Sequence, residues 1–187
     1  MEQSQDITPE ILGKIRQLKR LILSRADFKH AHLVASYILD SNLHNQAESE
    51  THVILPALNC SMIMAYCRPF SGNSNDVPDL PGRLLSVLNE DEKIVHRAAL
   101  ADRMKVLAHS DADGLELELV VADFPGAGPM LVPIVNWGLA PLKREAVEVL
   151  VTAVKKLMGA VVYERSRMEP ELMPYLQKVH HTKIHEY

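Results

Sequence analysis

The chain has 187 residues, 47% hydrophobic and 24% charged, with 8 Gly and 11 Pro; this predicts a single domain over residues 1–187 and excludes a low-complexity or disordered chain. Twenty Lys and Arg against 24 Asp and Glu give a net charge of −4, which excludes a grip on duplex nucleic acid by overall charge alone. No apolar run approaches the roughly 20 residues that span a bilayer, and the start MEQSQDITPE lacks a leader pattern, so a cytoplasmic protein without a membrane partner is expected.

Thr8-Pro9-Glu10 combines a capping hydroxyl, a proline where no N–H is needed and an acid at the positive end of the dipole, so a helix starts there. Ile11, Ile15, Leu18 and Ile22 form its apolar seam. Lys14, Arg16, Lys19, Arg20 and Arg25 take its remaining surface, read as an ordinary solvated face. The seam resets around Asp27, which predicts a separate second helix carrying Leu33, Val34, Tyr37 and Ile38. A third is expected from near Glu48 to Arg68-Pro69, kinked or restarted at Pro56. Cys60 and Cys67 lie on it about 10 Å apart, too far for a disulfide, and read as reduced core residues.

The run SGNSNDVPDLPG reads as a flexible loop. Asn89 then caps a helix with Ile94, Ala98, Ala101 and Ala108 near its inner face. Leu115, Leu117, Leu119 and Val121 alternate with Glu116 and Glu118, and Met130 to Trp137 gives a second strand with Pro133 at an edge or bulge. The resulting hairpin, about 115–137, is marginal alone and is expected to pack on the helices. Pro141 opens the longest helix, with Val147, Leu150, Val151, Val154, Leu157, Met158 and Val161 inside, ending before Pro170; residues 170–187 form a short helix or a tail. The fold class is therefore mainly α, a bundle of about five helices with a small antiparallel hairpin before the last long helix.

Chemistry concentrates in His96 to Asp111, which holds two His, two Arg and a Lys. Arg103 and His109 share a face only if the helix ends or bends between them, and Asp113-Gly114 suits such an end. A histidine at a helix C-terminus is poised for proton transfer, and an arginine fork holds a phosphate. Spacing alone favours the plainer reading, an Arg103 paired with Asp102 or with a glutamate from another helix and a His109 capping carbonyls. Arg68 has two readings, an anion contact at a cleft and a C-cap. His30 with His32, and His181 with His185, lack acidic or Cys partners at ligand spacing, so neither a metal nor another cofactor is expected.

The run RMKVLAHSD after an HRAAL helix resembles the Arg, four to six residues, His signature of the HEPN superfamily. LVPIVNWG with APLKREAVEVLVTAVKKL, and more weakly AYCRPF, extend the likeness. The resemblance implies a helical homodimer acting on RNA, at its strongest a metal-independent endoribonuclease with a composite site at the dimer interface. Arg103 would then be the phosphate ligand and His109 the proton-transfer residue, with Arg68, Lys105 and Ser110 as further RNA or anion contacts. Met104 stands where the family commonly has a polar residue. With the net negative charge and few aromatics it supports a second reading, a non-catalytic binding or dimerisation module for RNA, a nucleotide or a regulatory protein partner.

Overall fold

The computed structural model describes residues 7–46, 53–71, 76–108, 116–126, 128–136 and 141–180. These form a bundle of α-helices with a two-stranded antiparallel hairpin before the last long helix: α1 (Pro9–Asp40), α2 (Ile54–Cys67), α3 (Glu90–Ala108), β1 (Glu116–Phe124), β2 (Gly128–Asn136) and α4 (Arg144–His180). Helix α1 packs on α2 and α4, and α3 bridges α2 and α4. Phe28, Ile38, Met62, Ile63, Tyr66, Leu150 and Leu157 fill the shared core. Among the described residues no helix is long and apolar enough to cross a membrane.

Thr8 caps α1 as expected, its hydroxyl accepting from Ile11 N at 3.3 Å. The two helices expected on either side of Asp27 are one helix of 32 residues. The apolar seam breaks there because Arg20, Ser24 and Asp27, spaced by four and three, are buried on the inner face. The residues assigned to the seam instead divide: Ile15, Leu18 and Ile38 are buried, whereas Ile22, Leu33 and Tyr37 face outward.

Helix α2 is described from Ile54, and Glu48 lies outside the described residues. Pro56 sits in the first turn, where its missing N–H is an orphan anyway, so it neither kinks nor restarts the helix. Cys67 is buried and Cys60 half-buried, both as free thiols. A 3₁₀ turn, Arg68–Phe70, continues α2.

The loop expected to be flexible is tied down where it is described. Leu80 N donates to Pro69 O at 2.7 Å, Arg20 Nε donates to Pro78 O at 2.6 Å, and Leu80 is buried. A 3₁₀ turn, Gly82–Val87, follows. Asn89 and Glu92 then close a reciprocal capping box, each side chain accepting from the other's backbone N–H at 2.8 Å. The inner line of α3 is not the expected one. Ile94, Ala98 and Ala101 are exposed, and Glu92, His96, Ala99 and Arg103 are buried at spacings of four, three and four.

The strands pair antiparallel as expected, in a register with Val121 opposite Leu131 and Leu119 opposite Pro133. Gly126 and Gly128 take positive φ in the turn, where a side chain would be strained. Among the described side chains of the ribbon the expected packing on the helices is not seen: Leu119, Phe124 and Met130 are exposed, and Val121 and Leu131 are 66% and 62% exposed.

Helix α4 begins just after Leu142, whose backbone is gripped on both sides. His44 Nε2 bonds its carbonyl at 2.9 Å, and Asn59 Oδ1 accepts from its N–H at 3.1 Å. The expected seam is inside, with Val147, Leu150, Val154, Leu157 and Val161 fully buried. The helix does not stop before Pro170; it runs through Pro170 and Pro174 to His180. Tertiary contacts outweigh the lost backbone bonds: Leu172 is buried against Ile15 and Leu18, and Lys14 Nζ reaches Glu171 at 2.5 Å.

Candidate functional site

Where α2 meets α3, the polar inner lines of α1 and α3 converge on the AYCRPF segment and the serine after it. Tyr66, at the end of α2, meets His96 through its hydroxyl and Nδ1 at 3.0 Å. The His96 ring stands edge-on to Phe70, centroids 4.7 Å apart, and Phe28 completes the aromatic cluster. Burial, then the charge of Arg97, holds the His96 imidazole below its ordinary value, and burial pushes the Tyr66 phenol up. Both are therefore neutral around pH 7 and serve as packing and hydrogen-bonding groups.

Two turns further along the same face of α3, Arg103 is only 9% exposed. Its Nη1 donates to Ser71 Oγ at 2.5 Å and its Nη2 to Ser71 O at 3.2 Å. Its Nε is buried without a hydrogen-bond partner, and among the described residues no carboxylate lies at ion-pair distance from the guanidinium. In particular it does not pair with Asp102. Its field reaches Cys67: burial pushes that thiol up to about 12, against the pull of Arg103. The sequence segments quoted separately, HRAAL–RMK and AYCRPF, are thus one cluster in space.

Arg68 is held differently. Its Nη1 bonds Asp27 Oδ1 at 2.6 Å, with the arginine side chain 59% exposed and the aspartate almost buried. Asp27 also supports Arg20, a buried guanidinium whose proton affinity burial lowers and Asp27 and Asp79 raise. Arg20, Asp27 and Arg68 therefore link α1, the end of α2 and the 77–80 segment in one charged network. His109 and Ser110 lie outside the described residues, as does the side chain of Lys105.

The sequence reading gave no role to Asp27, Tyr66 or Glu92, named His96 only as part of the His96 to Asp111 run, and placed Arg20 on the solvated face, where the structure buries it. The available signal was polar rather than apolar periodicity: Arg20, Ser24 and Asp27 on one helix, and Glu92, His96 and Arg103 on another, recur at helical spacing. Glu92 joins the start of α3 to α4, capping α3 at Asn89 and pairing with Lys156. Burial pushes its carboxyl up, but the hydrogen bond from Lys156, 2.8 Å away, the bond from the Asn89 backbone and the Lys156 charge together bring it below its ordinary value.

Of the short-spaced histidines, His30 bonds Ser61 at 3.0 Å and His32 contacts Ser36, while His181 and His185 lie outside the described residues. An open groove of about 490 Å³ between the Gly82–Val87 turn and α4 is lined by Arg83, Val87, Gly159, Tyr163 and their neighbours, and none of the candidate residues lines it. No protein-family model, curated protein or solved structure matches the chain.

Proposed function

We propose that the chain is a HEPN-like protein acting on RNA, with Arg103 as the ligand of a backbone phosphate. The observation that carries the reading is a buried guanidinium that, among the described residues, has no acidic counterpart. Removing a cation from water costs several kcal/mol unless a charge or a full set of acceptors replaces the hydration. Ser71 gives Arg103 neutral oxygens only, and among the described residues the Nε–H has no acceptor. A phosphate oxygen would supply both the missing acceptor and the missing charge. Arg68 lies three residues before Ser71 and provides an exposed cation for a neighbouring phosphate.

In the catalytic form of this proposal, the 2′-oxygen bonds to phosphorus and the P–O5′ bond breaks, leaving a cyclic phosphate. His109 of one of two copies moves the proton from the 2′-hydroxyl towards the 5′-oxygen. Arg103 stabilises charge on the non-bridging oxygens. Lys105 and Ser110 add contacts to the same strand.

One observation favours the second, non-catalytic reading: both terminal nitrogens of Arg103 are already engaged by Ser71. The two are separated by incubating labelled single-stranded RNA with the protein in excess EDTA, beside Arg103→Ala and His109→Ala. Cleavage that disappears in both variants supports the nuclease. RNA binding weakened about tenfold or more by Arg103→Ala, with no cleavage by any form, supports the module, since a charge-assisted hydrogen bond contributes about 1.5–3 kcal/mol. Binding and cleavage both unchanged by Arg103→Ala defeat the proposal.

A further inference from the structure

Helices α1 and α4 run antiparallel, since Lys14 meets Glu171 at one end and Asn42, just past α1, meets Arg144 at the other. Between these ends an open cleft of about 270 Å³ is lined by Arg25 of α1 and by Val162, Arg165, Ser166 and Glu169 of α4. Two guanidinium groups thus reach one cleft from opposite walls. Arg25 is exposed and, among the described residues, pairs with no carboxylate. Arg165 donates through Nε to Glu169 at 2.6 Å, and among the described residues its two terminal nitrogens make no further bond. Ser166 donates its hydroxyl to Tyr163 O at 2.7 Å, through a hydrogen that rotates to suit a stronger acceptor.

The charge of this cleft runs against that of the chain, whose net charge is −4. From Ile11 to Leu39, α1 carries a single acid, Asp27, and it is buried on the inner face. Lys29, one turn after Arg25 on the same line of the helix, is exposed and likewise pairs with no carboxylate among the described residues. Arg25, Arg165 and Lys29 are thus set against Glu169, an excess of two positive charges. A phosphate monoester carries roughly −1.5 to −2 at neutral pH and offers three acceptor oxygens. Those oxygens accept from two arginine forks on opposite walls at once, whereas one fork satisfies a planar carboxylate. The volume agrees: it lies just below the roughly 300 Å³ at which pockets for drug-sized ligands begin. The cleft therefore takes a phosphate group and leaves the rest of an ester outside, beside the exposed side chains of Ile22 and Val162.

We propose that the cleft between α1 and α4 is a binding site for a phosphate monoester, held by Arg25 and by the terminal nitrogens of Arg165, with Lys29 at the rim. Glu169 is its internal competitor: it occupies the Arg165 Nε and subtracts one charge from the site. The cleft shares no residue with the Arg103 cluster, so the inference is independent of the RNA reading and stands if Arg103 binds no anion.

The test is a titration of the full-length, isotope-labelled chain with inorganic phosphate, followed by NMR at the arginine Nε–H groups. The Arg25 and Arg165 signals should shift together and saturate. Arg25→Ala, read at Arg165, and Arg165→Ala, read at Arg25, should each weaken binding about tenfold, with helical circular dichroism unchanged because neither side chain is buried. Glu169→Gln keeps an acceptor for the Arg165 Nε but removes the competing charge, and should tighten binding several-fold. Lys19→Ala removes an exposed cation of the same helix that does not line the cleft, and should leave binding unchanged. Flotation with phosphatidylcholine vesicles, with and without phosphatidic acid, then identifies the source of the phosphate. Recruitment by phosphatidic acid that Arg25→Ala abolishes supports a lipid headgroup, and saturable phosphate binding without recruitment supports a soluble ester. No saturable shift at Arg25 and Arg165, a loss with Lys19→Ala as large as that with Arg25→Ala, or a Glu169→Gln variant that binds no tighter overturns the proposal. A shift confined to Arg103 overturns it while leaving the RNA reading standing.

Discussion

Helices α3 and α4 pack on one another but bury opposite kinds of surface. The inner line of α4 is aliphatic from Val147 to Val161, while that of α3 is Glu92, His96, Ala99 and Arg103. Aliphatic burial stabilises in proportion to area and needs no particular partner. Polar burial stabilises only when each group meets its complement, and is otherwise a cost. The comparison separates the residues that hold this bundle together from those that fix which elements meet and where.

The sharpest break of the α4 side is Leu157→Ala. The side chain is fully buried, and a Leu to Ala change at such a site costs about 4 kcal/mol, the transfer of the lost methyl groups plus the cavity left behind. The urea midpoint should fall with little change in slope.

On the α3 side, Glu92→Ala is expected to cost somewhat less, about 3 kcal/mol. It removes a capping box and leaves Lys156 without its partner, whose own exposure softens the penalty. Because the Glu92 carboxyl lies below its ordinary value of 4.5 in the folded chain, its contribution is whole above that pH and is lost as pH falls below it. The difference in unfolding free energy between the two proteins should therefore shrink on acidification towards pH 3. A difference independent of pH would show that the cap, not the charge, carries the effect.

Asp27→Ala should cost about 2 kcal/mol, since it deprives buried Arg20 and half-exposed Arg68 of a shared carboxylate. Its distinguishing result is local. The Leu80 amide, bonded to Pro69 O in the segment that Arg20 holds, should exchange with solvent faster relative to amides in α4. Equal acceleration throughout the chain would mean that Asp27 supports global stability alone.

How much of this was legible follows from the same division. The aliphatic seam of α4, the strand character of β1, the Thr8 and Asn89 caps and the overall class could be read because each signal is local; on α4 apolar periodicity also meant burial, whereas on β1 it marked a strand whose Leu119 and Val121 are exposed. On α1 the same rule misplaced Ile22, Leu33 and Tyr37, and on α3 it misplaced Ile94, because the inner faces there are partly polar. Nothing local marks Asp27 as the partner of Arg68, 41 residues away, or Ser71 as the partner of Arg103, 32 residues away. Arg103 was found from its motif, but its burial, with no carboxylate beside it among the described residues, is a property of the packed bundle. Pro170 looked like a stop because its cost is local, while the compensating burial of Leu172 against Ile15 and Leu18 comes from the other end of the chain.

The smallest expected effect concerns the remaining polar member of the α3 line. His96 is neutral in its aromatic setting, with its proton affinity lowered by burial first and by Arg97 second. The unfolded chain, with an ordinary value near 6.5, therefore takes up the proton first as pH falls. Stability from this group is whole above that value and declines as pH drops below it. His96→Phe keeps the ring between Tyr66 and Phe70 but cannot be protonated, at the cost of the bond to the Tyr66 hydroxyl. Measured by urea unfolding from about pH 7.5 to pH 5, the variant should start less stable and then lose less than the unmodified protein as the pH is lowered. Parallel profiles for the two proteins would show that the histidine is solvated when charged, and would remove it from the groups whose burial depends on a neutral partner.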